Sequence, residues 1–416
     1  MNLILTNISQ LLTCAPLAGE RVKRGRAMGD VGLLTHVSIE IRDGRIARIA
    51  HSGEEIAVAE DDDIEVIDCM GRVALPGFVD SHTHAVFAGS REDEFVLRAQ
   101  GRTYQEIARA GGGILSTVKS VREATKKELL KASNRRLNEM MKSGTTTLEI
   151  KSGYGLSPES EIKLLDVIAE LRRDHFMTVV PTFLGAHAVP PEYAGKKDDY
   201  VRLLCEYVIP HLSERKLAEF CDVFCEDGYF THADAQMILA AGAARGLRAK
   251  LHADQLTSNA GAELAAQSHA ASADHLEHIS SEGIRALAQS DTVATVLPGS
   301  AFFLNHTYAP ARRMIDEGCA VSIATDFNPG SCMSYSMPMM MTIACTQMRM
   351  SPEEAITAST INGAAALGLS AEYGSIEPGK RADIVVYDVP NYRFIPYHFG
   401  ANHVWKVVKN GTVLEF

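Results

Sequence analysis

The chain has 416 residues, 46% of them hydrophobic and 22% charged, with a formal net charge of −11. That length is too great for one small core and fits a large barrel with a minor domain, in a composition ordinary for a water-soluble globular protein. Its acidity excludes nucleic acid as a partner, and no apolar run approaches the roughly 18 residues that span a bilayer, which excludes a membrane protein.

The opening MNLILTNISQ lacks a basic region before its short apolar stretch and is a poor signal peptide. Residues 1–70 read as short strands, with Asp43-Gly44 as a hairpin turn between two alternating runs. The Gly- and Arg-rich segment from Leu17 to Gly32 reads as an exposed loop. The strand pattern returns from Ile376, with a second hairpin turn at Asn410-Gly411. Two β-rich ends around a long middle predict a small β-sandwich domain built from residues 1–74 and 376–416.

Within residues 75–375 eight short apolar runs recur: Phe78–Ser81, Thr145–Ile150, Met177–Phe183, Cys221–Cys225, Leu247–Leu251, Ser272–Leu276, Thr292–Leu297 and Val321–Thr325. Helix-like stretches separate them, among them Lys126–Met141, Ser160–Arg173, Ala233–Ala244 and Ser281–Gln289. Eight such units predict an α/β fold, a (β/α)8 barrel whose chemistry sits where strands pass into loops. Gly111-Gly-Gly113 lacks the Gly-Lys-Ser/Thr of a phosphate loop and reads as a turn. Met337–Met341 reads as helix packing. The eight cysteines include no Cys-X-X-Cys pair and read as reduced thiols, as in a cytoplasmic protein.

The run ends carry the candidate chemistry. Asp80-Ser-His82-Thr-His84 closes the first run, and alternation turns Asp80, His82 and His84 to one face. His252 ends the fifth run, Asp274-His275 the sixth and Asp326 the eighth. A barrel brings these ends to one mouth, and neutral imidazoles with a carboxylate suit zinc or iron.

The passage Leu75-Pro-Gly-Phe-Val-Asp-Ser-His-Thr-His, the terminal β segments and Asp326 resemble the amidohydrolases. Four narrower passages resemble the imidazolonepropionase family: Gly89-Ser-Arg91-Glu, Glu149-Ile-Lys-Ser-Gly-Tyr154-Gly-Leu, Gly185-Ala-His187 and Ala324-Thr-Asp-Phe-Asn-Pro-Gly-Ser331. The resemblance covers nearly the whole chain. It implies hydrolysis of the cyclic amide of 4-imidazolone-5-propanoate to N-formimino-L-glutamate in histidine degradation, and a homodimer.

Dinuclear amidohydrolases bridge two metals with a carboxylated lysine ending the fourth strand, where this chain has Cys225-Glu-Asp-Gly. Lys151 follows the second run and reads as a supporting or surface lysine. The resemblance thus implies one metal, held by His82, His84, His252 and Asp326. His275 and Asp326 are the expected catalytic groups. Gln255 joins them where many relatives carry a proton-shuttling Glu; its amide can hydrogen-bond but not carry a proton.

For the carboxylated substrate the resemblance selects Arg91, whose other reading is a surface salt bridge. Tyr154 and His187 are expected hydrogen-bond donors, and Asn328, Gly330 and Ser331 are expected to present backbone N–H groups to an anion. His306 stays without a role. The rival readings are a nucleobase or similar deaminase and a non-catalytic barrel scaffold.

Overall fold

The computed structural model describes residues 2–54, 56, 64–102, 106 and 112–416. The N-terminal strands are β1 (Asn2–Leu12), β2 (Leu33–Arg42), β3 (Arg45–Ala50), β4 (Ile64–Asp68) and β5 (Val73–Pro76). The middle supplies β6 (Phe78–Asp80), β7 (Thr145–Lys151), β8 (Thr178–Ala186), β9 (Phe220–Cys225), β10 (Arg248–Ala253), β11 (Ser272–His275), β12 (Val293–Val296) and β13 (Val321–Ile323). The C-terminal part adds β14 (Ile384–Tyr387), β15 (Val404–Lys409) and β16 (Thr412–Leu414).

Strands from both ends form one sheet in the order β16-β15-β14-β5-β1-β2-β3, with β4 also paired to β1. Its register shifts between Leu5 and Ile8 of β1, where Asn7 takes a left-handed φ of 53°. Leu3, Leu5, Ile39, Ile41, Ile384 and Val408 share a core within it. Both expected hairpin turns are present: Asp43-Gly44 has φ of 50° and 74°, and Asn410-Gly411 has 48° and 76°, as type I′ turns require. The two turns meet, since a Cβ on Gly411 would lie 2.8 Å from Gly44 Cα. The sheet is thereby folded over its own core.

The eight middle strands pair in sequence, all parallel, from β6 to β13. Each expected run corresponds to one of them. Strands such as β7, Thr-Thr-Thr-Leu-Glu-Ile-Lys, are buried along their whole length, as interior parallel strands are. The intervening helices begin on oxygen-bearing caps: Thr125 for Lys126–Lys142, Ser157 for Pro158–Asp174 and Thr231 for His232–Ala243. Just past β6 and β13 the barrel closes. His84 N–H donates to Phe327 O at 3.0 Å and Asp326 N–H to His82 O at 3.0 Å. This closure sets the His-X-His segment beside Asp326.

The segment from Leu17 to Gly32 is exposed over residues 17–21, as expected, but departs from that exposure further on. Lys23 and Met28 are buried, and Asn362 clasps Lys23 by accepting from its N–H and donating to its carbonyl, each at 2.9 Å. Met28 has apolar surface to hide, and Asn362 satisfies the backbone that burial takes from water. Met337, Met340 and Met341 pack into the core from the helix Met337–Gln347, and all eight cysteines are free thiols. Gly111 lies outside the described residues, whereas Gly113 caps the helix Ile114–Glu123 with φ 78°. Among the described residues no helix is long and apolar enough to cross a membrane.

Candidate active site

Eleven of the twelve expected site residues line a single cavity of about 110 Å³; the twelfth, His82, is fully buried. His84 follows β6, Tyr154 β7, His187 β8 and Asp326 β13, while His252 and His275 lie at the ends of β10 and β11. Gln255 lines the cavity from a loop held by two buried carboxylates. Glu226 accepts from Leu256 N–H at 2.8 Å, and Asp254 accepts from the N–H groups of Asn259, Gly261 and Ala262 at 2.9–3.1 Å. Phe224, Tyr229, Ile114 and Leu256 complete the wall, and His306 stands at the rim.

The imidazoles form overlapping groups. His82 and His84 converge with Asp326, His82 and His252 with His275, and His84 and His252 with His187, each trio within 4.8 Å. Burial holds His82, His84 and His252 far below the ordinary histidine pKa, so each is neutral and can offer a lone pair. His82 Nδ1 lies 2.7 Å from Asp274 Oδ2, which places its proton there and leaves Nε2 as the acceptor. That Nε2 is buried and takes no hydrogen bond.

Asp326 Oδ1 stands 3.6 Å from His82 Nε2 and 3.6 Å from His84 Nε2. Two ligands of a tetrahedral ion, each about 2.1 Å from it, are separated by about 3.4 Å. The donor set and the orphaned nitrogen therefore fit a transition metal.

Asp326 takes a left-handed φ of 51°, and His275 and Leu276 take 86° and 71°. Such backbone is costly for non-glycine residues and persists where surrounding contacts enforce it. Around Asp326 those contacts are explicit. Asn328 Nδ2 donates to Asp326 O at 2.7 Å and Oδ1 at 2.9 Å, and Ser331 Oγ donates to Oδ2 at 2.9 Å. Burial lifts the carboxyl to a pKa of about 6 against the opposing pull of His275, Ser331 and Asn328. At His275 burial opposes charge, but Glu277, Asp326 and Asp274 outweigh it and raise the pKa above the ordinary value.

Two expected hydrogen-bonding roles are corrected here. The N–H groups of Gly330 and Ser331 do not point to an anion, because Asn328 Oδ1 accepts both, at 2.8 and 2.9 Å. An Asx side chain competes for the nearest backbone donors and wins when the loop is tight. His187 does not donate into the cavity either. Its Nδ1 faces Gly153 O at 3.1 Å and so carries the proton, and burial pushes its pKa down to about 4. The neutral ring presents Nε2 as an acceptor.

Arg91 is no surface residue. It is 8% exposed, with Nη2 2.7 Å from Glu94 Oε2, and it lies so close to the loop after β13 that a Cβ on Gly330 would meet its Nη1 at 2.1 Å. Tyr154 is also buried, 5.4 Å from the His84 ring and 5.5 Å from His187 between centroids. Its segment is held by Glu161, which accepts from the N–H groups of Gly153, Gly155 and Leu156 at 2.7–3.0 Å.

Beneath the cavity lies a charged layer that sequence reasoning missed: Glu149, Lys151, Asp222, Lys250 and Asp274, all fully buried. Lys151, expected to be supporting or at the surface, is 0% exposed. Burial alone would strip its proton, and Asp222, Glu149 and Asp274 reverse this to keep the ammonium charged. Burial would likewise lift Asp274, and Lys250 and Lys151 instead hold it below the usual carboxylate range. The available signal was charge at alternate positions, Glu149 and Lys151 or Lys250 and His252, inside runs that otherwise read as buried.

A closed parallel barrel with a histidine- and aspartate-lined mouth is the architecture of the metal-dependent hydrolases, and the amidohydrolase family matches residues 73–414. An imidazolonepropionase of Parabacteroides distasonis is 47% identical, covering 99% of this chain and 98% of the relative. One from Porphyromonas gingivalis is 48% identical over 100% and 97%, and one from Clostridium tetani 45% over 99% and 98%. The chain belongs to the amidohydrolase family and, within it, to the imidazolonepropionase family. Its fold is shared more widely. Guanine deaminase of E. coli superposes with a TM-score of 0.74 at 14% identity, covering 100% of this chain and 99% of that one. The zinc complex of atrazine chlorohydrolase from Arthrobacter aurescens gives 0.72 at 15%, over 99% and 95%.

Proposed function

We propose that the chain hydrolyses the cyclic amide of 4-imidazolone-5-propanoate to N-formimino-L-glutamate, a step in histidine degradation. The observation that carries this reading is one small cavity holding both a buried guanidinium, Arg91, and an imidazole–carboxylate cluster. A ring amide with an anionic tail needs both. The relatives named imidazolonepropionase, similar over the full chain, support it.

His82, His84, His252 and Asp326 would hold one transition-metal ion, zinc or iron, which when bound would supply Lewis acidity able to lower the pKa of water from about 15.7 toward 7. Arg91 grips the propionate with its planar fork, and Tyr154 adds a hydroxyl donor. His187 Nε2 accepts from a ring N–H, and Gln255 hydrogen-bonds the ring without carrying a proton. Asp326, with Oδ1 facing His82 and His84, uses Oδ2 to take the proton of the attacking water and pass it to the leaving nitrogen. His275, favoured as a cation by Glu277, donates to the carbonyl oxygen as charge develops there. Asn328, Gly330 and Ser331 act through Asp326 and Arg91 rather than on the substrate.

Purified protein loaded with zinc or iron should abolish the ultraviolet absorbance of added imidazolonepropionate. Unchanged absorbance, with guanine or another aminated ring consumed instead, would favour the deaminase reading; with neither consumed, the scaffold. We also propose a cytoplasmic homodimer, for which sedimentation at twice the 45.2 kDa chain mass is the expected result and a monomer the contrary one.

A further inference from the structure

Lys151 ends β7 as a fully buried lysine to which the mechanism above gives no task. Its Nζ lies 2.7 Å from Asp222 Oδ2, 2.9 Å from Glu149 Oε2 and 3.4 Å from Asp274 Oδ2. The same Asp222 oxygen stands 3.0 Å from His252 Nδ1, and the same Asp274 oxygen 2.7 Å from His82 Nδ1. One cation thus touches three carboxylate oxygens; that of Asp274 is hydrogen-bonded to the inner nitrogen of His82, and that of Asp222 lies beside the inner nitrogen of His252 without an aligned hydrogen bond.

We propose that Lys151 is a positioning residue for the metal site, clamping Asp274 so that it fixes the tautomer and aim of His82, and holding the Asp222 carboxylate against His252. The inference rests on the reading that these imidazoles hold a metal.

Lys151 cannot be a ligand itself, since an ammonium has no lone pair. Carboxylation of its amine would set a new negative charge against three carboxylates already in contact. Lys250 shares the load from the other side. It lies 3.1 Å from Glu149 Oε1 and 3.7 Å from Asp274 Oδ2, and donates to Ser81 O, beside His82, at 2.8 Å. Asp222, by contrast, has Lys151 as its nearest cation. Without Lys151, Asp222 and Asp274 would repel one another inside a medium of low dielectric. Each would relax by turning away, which withdraws the acceptor that orients His82 and the carboxylate that flanks His252.

The test uses zinc and cobalt(II) on the full chain. Wild type should bind one ion, and Lys151→Met, close to lysine in shape but uncharged, should bind zinc about 10–100-fold more weakly by chelator competition. The visible spectrum of its cobalt(II) form should also change, which a purely structural role would leave alone. Asp222→Asn should weaken zinc similarly, and the double variant Lys151→Met/Asp222→Asn should be no worse than the weaker single one. Wild-type zinc affinity and an unaltered cobalt spectrum in folded Lys151→Met would overturn the inference. Should Lys151→Met fail to fold, Asp222→Asn decides alone: weakened zinc supports the clamp, and wild-type affinity removes it. Wild-type protein that takes up no metal would overturn the metal reading itself, and the clamp with it.

Discussion

Asn328 binds Asp326 twice, its Nδ2 lying 2.7 Å from the backbone carbonyl and 2.9 Å from Oδ1 of the same residue. Its Oδ1 closes the turn by accepting from Gly330 and Ser331. Asn328 therefore pins the Asp326 carboxylate, the proposed proton carrier, and its amide N–H groups are taken within the turn. Asn328→Ala is expected to lower kcat about 10–100-fold, the usual effect of removing a residue that orients a ligand. KM should hardly move. Steady-state kinetics decide, and a rise in KM at constant kcat would return Asn328 to substrate binding.

Gly330 makes room for Arg91. A Cβ there would stand 2.1 Å from Nη1 and 2.9 Å from Cζ, so Gly330→Ala must displace the guanidinium. Arg91→Ala is expected to cost about 2–4 kcal/mol in kcat/KM through loss of a charge-assisted pair, with metal content intact. Gly330→Ala should follow it in direction. Arg91→Lys should also weaken binding, because lysine lacks the fork. Unchanged kinetics in Arg91→Ala would separate the cation from the propionate.

Glu161 holds three backbone N–H groups of the segment that carries Tyr154. In Glu161→Gln one acceptor oxygen becomes an amide donor facing other donors. Unfolding free energy in urea should fall by about 2 kcal/mol, since a buried unsatisfied donor costs on the order of 1–3 kcal/mol. Activity should fall with it as Tyr154 shifts. A variant with wild-type stability and turnover would leave Glu161 without this role.

The eight barrel strands were legible because each is a short apolar run, and the strand-end histidines because a barrel gathers strand ends at one mouth. The charged layer was not. Glu149 and Lys151 share a strand, but the partners that let Lys151 stay buried lie on β9 and β11, 71 and 123 residues away. Residue types alone cannot announce such pairings. The Asn328 turn escaped for a local reason: backbone donors in a Gly-Ser loop look free until a neighbouring side chain is seen to take them. Arg91 looked equally like a surface residue because only the folded chain brings it beneath the loop after β13.

His252 and His275 lie together with His82, so geometry alone lets either serve as a ligand. The proposed roles separate them. His252→Ala should lose metal and activity together, whereas His275→Ala should keep its metal and lose about 10²–10⁴ in kcat. Asp326→Asn retains an oxygen of similar shape but cannot take a proton, so partial metal retention with almost no turnover is expected. Metal analysis beside kinetics on the three variants checks this. Loss of metal from His275→Ala with retention in His252→Ala would exchange the two histidines.

In the proposed reaction water opens the imidazolone ring at its amide carbonyl. Reaction of the metal-loaded protein in ¹⁸O-labelled water, followed by mass spectrometry of the product, tests it directly. The expected product is N-formimino-L-glutamate carrying one label in the newly formed carboxylate, with no ammonia released. Release of ammonia, or product without label in that carboxylate, would contradict it.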